Sequence, residues 1–74
     1  MKNIWLEKRI VEEKFPVGCS VSHEVWELNQ YEVVEVIVCK GLGFANDIAV
    51  KCKVKGYETE HSVYFSPETI QRTE

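Results

Sequence analysis

Apolar and polar residues alternate most regularly in Asp47–Phe65, where Ile48, Val50, Cys52 and Val54 are interleaved with Ala49, Lys51, Lys53 and Lys55. A period of two is the mark of a half-buried strand. Taking Lys55-Gly56 as a two-residue turn makes the segment a β-hairpin, with Val54 opposite Tyr57, Lys53 opposite Glu58 and Cys52 opposite Thr59. The same register sets Lys51 against Glu60, Val50 against His61 and Ile48 against Val63. Lysines then meet glutamates on one face, and mostly apolar groups meet on the other.

Upstream, Val17, Cys19, Val21, His23 and Val25 alternate with Gly18, Ser20, Ser22 and Glu24 and predict a first strand. Trp26–Gln30 reads as a turn. Tyr31–Lys40 is dense in valine and isoleucine, and is the most strand-prone run. Lys40–Asn46 is a glycine-bearing loop. Ser66-Pro67-Glu68-Thr69 has the form of a cap with proline at the first helical position, enough for one turn, and Gln71–Glu74 can add a last short strand. Residues 1–14 fit two patterns: Ile4, Leu6 and Ile10 suit an interrupted strand, whereas Leu6 and Ile10 also lie on one helix face. Phe15-Pro16-Val17-Gly18 ends any helix there, since Pro16 drives Phe15 towards extended geometry. With Val34, Val36 and Val38 facing Val50, Cys52 and Val54 in the core, Val33, Ile37, Cys39 and Ala49 fall on the outer face. Residues 1–11 folding back, or a partner chain, must cover that apolar strip.

Four to five short antiparallel strands, a glycine-bearing connection and a terminal turn predict an all-β small barrel, which removes exposed strand edges. The expected organisation is one domain over residues 1–74, with the barrel in 15–72. Phe15-Pro16-Val17-Gly18-Cys19-Ser20-Val21 at the start and Tyr64-Phe65-Ser66-Pro67-Glu68-Thr69-Ile70 at the end resemble SH3-like barrels of the KOW and Tudor type. Such barrels often open on an aromatic, a Val-Gly and an acidic residue before a valine, and close on a proline-glutamate turn leading to an aliphatic. Cys19 stands here where the acidic residue is usual, and Trp26–Gln30 lacks the usual first-loop glycine. The resemblance implies a fold and not one partner class, because these barrels serve protein, peptide and nucleic-acid ligands alike.

Size and charge narrow the function. A chain of 74 residues buries only about 60–65% of its extended surface, leaving little core for an internal active-site cavity. With 45% hydrophobic and 28% charged residues it is ordinary globular protein, and its net charge of −3 disfavours sequence-independent DNA binding. The charged N-terminus has no signal-peptide h-region and no run reaches transmembrane length. Three cysteines without a CxxC fit reduced thiols in the cytoplasm.

Candidate chemistry is sparse. Cys19, His23, Cys52 and His61 all fall on inward positions, but only Cys19-x3-His23 has near-zinc spacing, so small core thiols and barrel-end histidines are the simpler account and no metal or cofactor is expected. A Cys39–Cys52 disulfide is disfavoured, because with Glu35 paired to Lys51 the two side chains point to opposite faces. Nothing orients a cysteine against a histidine as nucleophile and base, and Gly41-Leu42-Gly43 has no strand-to-helix context, so an enzyme is not expected. Two binding surfaces remain. Trp26 and Tyr31 in the first loop with Leu42 and Phe44 in the second, rimmed by Glu24, Glu27 and Glu32, would suit a protein partner with a basic surface. Phe44 could equally close one end of the barrel. Lys40, Lys51, Lys53 and Lys55, with Trp5, Trp26, Tyr31 and Phe44 for stacking, would suit nucleic acid, but neighbouring glutamates offset that charge. The expected role is a non-enzymatic binding module, with a nucleic-acid-binding barrel as the alternative.

Overall fold

Asn3 decides the ambiguity at the N-terminus. Its side chain accepts hydrogen bonds from the backbone N–H groups of Trp5 and Leu6 at 3.1 and 3.3 Å, the geometry of a helix cap. In the computed structural model, which describes residues 3–26, 29–44, 47–55 and 62–73, the helix α1 follows over Ile4–Lys14. Lys8 and Glu12 pair one turn apart at 3.3 Å. Pro16 then stops the helix, and the Phe15 N–H donates to Val11 O at 2.8 Å as its last bond. Ile4, Glu7, Lys8 and Val11 are half-buried, whereas Trp5, Leu6 and Ile10 are exposed. The helix therefore turns part of its apolar surface away from the body of the protein.

The remainder is mostly β. The strands β1 (Ser20–His23), β2 (Tyr31–Val38), β3 (Ile48–Val54), β4 (Ser62–Phe65) and β5 (Ile70–Arg72) form one open antiparallel sheet in the order β4-β3-β2-β1-β5. A 3-10 turn over Pro67–Thr69 joins β4 to β5. β1 is shorter than the alternation from Val17 to Val25 suggests. Gly18 takes φ +93° and Cys19 N–H donates to Pro16 O, so a tight turn occupies the first positions and leaves Val17 exposed. The sheet curls enough for rings on β1 and β4 to touch, with His23 and Phe65 centroids 4.4 Å apart.

Two registers differ from the sequence reading. Within β2, pairing passes from Val33↔Cys52 to Glu35↔Lys51, so Val34 is the extra residue of a β-bulge. The bulge reverses the facing on its N-terminal side. Val33, expected outside, is fully buried, and Val34, expected in the core, is only half-buried. Val36, Val50 and Cys52 are core residues as the alternation predicts, and Val54 packs against them. Between β3 and β4, Val50 pairs with Phe65, Lys51 with Tyr64, Cys52 with Val63 and Lys53 with Ser62. The partner of each β3 residue lies four positions later than a Lys55-Gly56 turn requires. An even slip preserves which side chains face inward, but Lys51 and Lys53 do not oppose Glu60 and Glu58, and those glutamates lie outside the described residues. Lys53 instead reaches Glu32 of β2 at 3.4 Å.

Phe15, Val21, Val33, Ile48, Val50 and Cys52 are the largest fully buried side chains, joined by Cys19, Tyr31, Val36, Phe65 and Ile70 in one core. The strip expected on the outer face is not open: Ala49 is fully buried, Ile37 and Cys39 are half-buried, and α1 packs on β2.

Candidate functional site

Four rings gather where β1 ends. Phe65, the last residue of β4, is the hub. His23 lies 4.4 Å from it, Tyr31 meets it edge-on at 5.0 Å and 80°, and Trp26 lies 6.0 Å away and 4.8 Å from His23. Backbone bonding fixes this corner. His23 pairs with Ile70 of β5, Glu24 N–H donates to Thr69 O at 3.0 Å, and Thr69 folds back on Ser66 through both its N–H and its hydroxyl.

The two tryptophan-side rings differ in exposure, and that difference makes a site. Tyr31 is 4% exposed and belongs to the core; its hydroxyl accepts from Asn29 Nδ2 at 3.3 Å. Trp26 is 53% exposed. Between Trp26 and β4 runs an open cleft of about 580 Å³, with Ser62, Val63, Tyr64, Phe65 and Ser66 along one side and His23, Trp26 and Thr69 on the other. A second hollow of about 360 Å³ shares His23 and Thr69 and is lined also by Glu24 and Glu68. One hollow is aromatic, its neighbour acidic.

His23 stands on the wall between them, 8% exposed. Its Nδ1 accepts a hydrogen bond from the Val25 N–H at 3.1 Å. A nitrogen that accepts carries no proton, so this bond assigns the proton of the neutral ring to Nε2. Among the described residues the His23 side chain makes no other hydrogen bond, and no fully buried side-chain nitrogen or oxygen lacks a partner. His23 lines both hollows, and its Nε2–H has no acceptor among the described residues.

The surface assembled from two loops does not form as one patch. Trp26 and Tyr31 lie at the start of β2, while Leu42 and Phe44 follow its far end. Eight strand residues at about 3.3 Å each separate those ends by roughly 23 Å. Leu42 is 70% exposed, Phe44 half-buried, and Glu27 lies outside the described residues. Glu24 is exposed beside the acidic hollow, and Glu32 is taken up by Lys53. Of the lysines, Lys51 lies between Glu35 and Tyr64, Lys55 donates to the Ser20 hydroxyl, and Lys40 is exposed in the second loop. Phe65 and Tyr64 belong to the closing motif of the barrel resemblance but were not among the candidate site residues; the alternation Ser62-Val63-Tyr64-Phe65 was the signal that places one ring inward and the other outward.

Cys19, Cys39 and Cys52 form no disulfide. Burial, and then the nearby Cys19, push the Cys52 thiol from 9.0 up to about 12, and its Sγ donates weakly to Val50 O at 3.8 Å. Burial and then Asp47 raise the Cys39 thiol. Among the described residues no three of His, Cys, Asp or Glu come together in a way that could hold a metal ion, and His61 lies outside them. Also among the described residues, no helix is long and apolar enough to cross a membrane.

Comparison with protein-family models, with curated proteins and with solved structures finds no match to this chain.

Proposed function

We propose that this protein is a non-enzymatic binding module of SH3-like architecture that docks on a protein partner, acting as subunit, adaptor or inhibitor of a larger assembly. The strand order and the 3-10 turn between β4 and β5 support the architecture. One observation carries the function: a half-exposed tryptophan stands across an open, largely apolar cleft from a sheet edge, backed by buried rings. A solvent-exposed aromatic over a rigid base is the kind of group that dominates interface energetics, since its area is large and little side-chain freedom is lost on binding. Its volume of about 580 Å³ also falls within the range of ligand-binding clefts. The rim at Glu24 and Glu68 favours a basic partner surface, because complementary charge speeds encounter and fixes orientation.

The alternative, nucleic-acid binding, draws on Lys51 standing next to Tyr64, an aromatic 48% exposed on the outer face of the sheet. Glu35 on the other side of Lys51 and the Lys53–Glu32 pair weaken it. Capture from native-host extract with immobilised protein, read by mass spectrometry, separates the two. Trp26→Ala should abolish specific capture and Lys51→Glu should leave it unchanged. Salt-sensitive binding of mixed oligonucleotides that Lys51→Glu removes would overturn the proposal.

A further inference from the structure

Among the described residues β4 is the terminal strand of the sheet, bonded to β3 on one side only. In an antiparallel pair, alternate residues turn their N–H and C=O groups away from the partner strand. On β4 those groups face outward over Ser62–Phe65, and the five consecutive residues Ser62–Ser66 form one whole wall of the aromatic cleft. The opposite wall carries Trp26 and the ring of the buried His23, whose Nε2–H has no acceptor among the described residues. Beside them lie the carboxylates of Glu24 and Glu68. Among the described residues no lysine or arginine lines either hollow.

We infer that the outer edge of β4 accepts an extended peptide segment of the partner protein as an added strand, with an apolar side chain in the cleft against Trp26 and a lysine or arginine two residues away at Glu24 and Glu68. The inference rests on the protein-docking proposal and gives the partner a chemistry. Main-chain bonds to a strand edge supply affinity without regard to sequence, and pockets for alternate side chains supply selectivity. Same-face residues of a strand are two apart, about 7 Å along the chain, which sets the spacing of the apolar and basic groups across two hollows that share His23 and Thr69. The peptide contributes a carbonyl oxygen to His23 Nε2–H. A donor on the wall of a cleft gains from an acceptor that displaces water from it.

The test uses the full 74-residue chain and a random heptapeptide display library, followed by polarisation titrations of the enriched peptides. Enriched sequences should carry an apolar residue with Lys or Arg two positions away. Trp26→Ala should weaken them at least ten-fold, and the Glu24→Gln, Glu68→Gln double variant should weaken them several-fold at low salt and less at high salt. Synthetic copies N-methylated at single peptide bonds should lose about ten-fold at alternate positions and nothing at those between. Alternate backbone amides of Ser62–Phe65 should gain protection from hydrogen exchange when the peptide is bound. No enrichment, uniform tolerance of N-methylation, or displacement of the peptide by mixed single-stranded oligonucleotides would each overturn strand addition. Trp26-dependent capture from extract combined with uniform tolerance of N-methylation leaves protein docking standing and removes only the added strand. Failure of capture itself removes the proposal beneath it.

Discussion

Phe65 holds the candidate site together, and the cost of altering it follows from its contacts. It is 5% exposed and touches Tyr31, His23 and Trp26. Truncation to alanine would forfeit about 3–5 kcal/mol. At about 0.05–0.15 kcal/mol per residue, a chain of 74 residues has roughly 4–11 kcal/mol in total, so Phe65→Ala brings it near unfolding. Phe65→Leu is the more informative change. It keeps most of the apolar volume and removes the edge-on pair with Tyr31, worth about 0.5–1.5 kcal/mol beyond its area, together with the stack on His23. The sum, about 1–3 kcal/mol with a similar amount for each contact, should lower Tm by roughly 4–24 °C at about 4–8 °C per kcal/mol for a domain of this size. Urea titration followed by tryptophan fluorescence gives the free energy, because Trp26 is near Phe65 and its environment changes on unfolding. A double-mutant cycle of Phe65→Leu with Tyr31→Leu should show coupling of at least about 0.5 kcal/mol. Zero coupling, or a Phe65→Leu cost below about 0.5 kcal/mol, would refute the aromatic hub.

Alkaline titration tests the buried thiol. Below about pH 9 both states keep the Cys52 proton. Between about 9 and about 12 only the unfolded chain releases it, so stability falls as pH rises, and Cys52→Ala should flatten that limb of the urea-midpoint curve. In the native protein Cys39, the half-buried thiol, should react with a thiol reagent well before Cys19 and Cys52, as peptide mapping of a timed modification would report. The Lys53–Glu32 pair should couple by less than about 1 kcal/mol in a double-mutant cycle and fade with added salt.

Facing was legible in the sequence wherever alternation was strict. Val50 and Cys52 are buried because a period of two leaves them no other side. Register was not legible. The Lys55-Gly56 turn offered paired Lys and Glu side chains, but exposed ion pairs are worth too little to set strand pairing. Val50 against Phe65 and Cys52 against Val63 bury far more apolar surface, and they win by four residues. The bulge at Val34 was hidden because Val33-Val34 and Val36-Ile37-Val38 are apolar on both faces, so either parity satisfies the pattern. The helix at Ile4–Lys14 had its signal in the Asn3 cap and the Lys8–Glu12 pair, which a count of apolar positions alone does not weigh. At the site, composition marked Trp26 and Tyr31 as equals. Only the curl of the sheet, which brings Phe65 onto β1, buries one ring and leaves the other at the surface.

Site-specific photocrosslinking tests the docking cleft most directly. A benzoyl-phenylalanine placed at Tyr64 or Thr69 stands at the cleft, and one placed at Leu42 stands beyond the far end of β2. In native-host extract the account predicts one protein adduct formed from both cleft positions, lost on adding Trp26→Ala, and none from Leu42. A protein adduct from Leu42 alone, or nucleic-acid adducts from Tyr64, would contradict it.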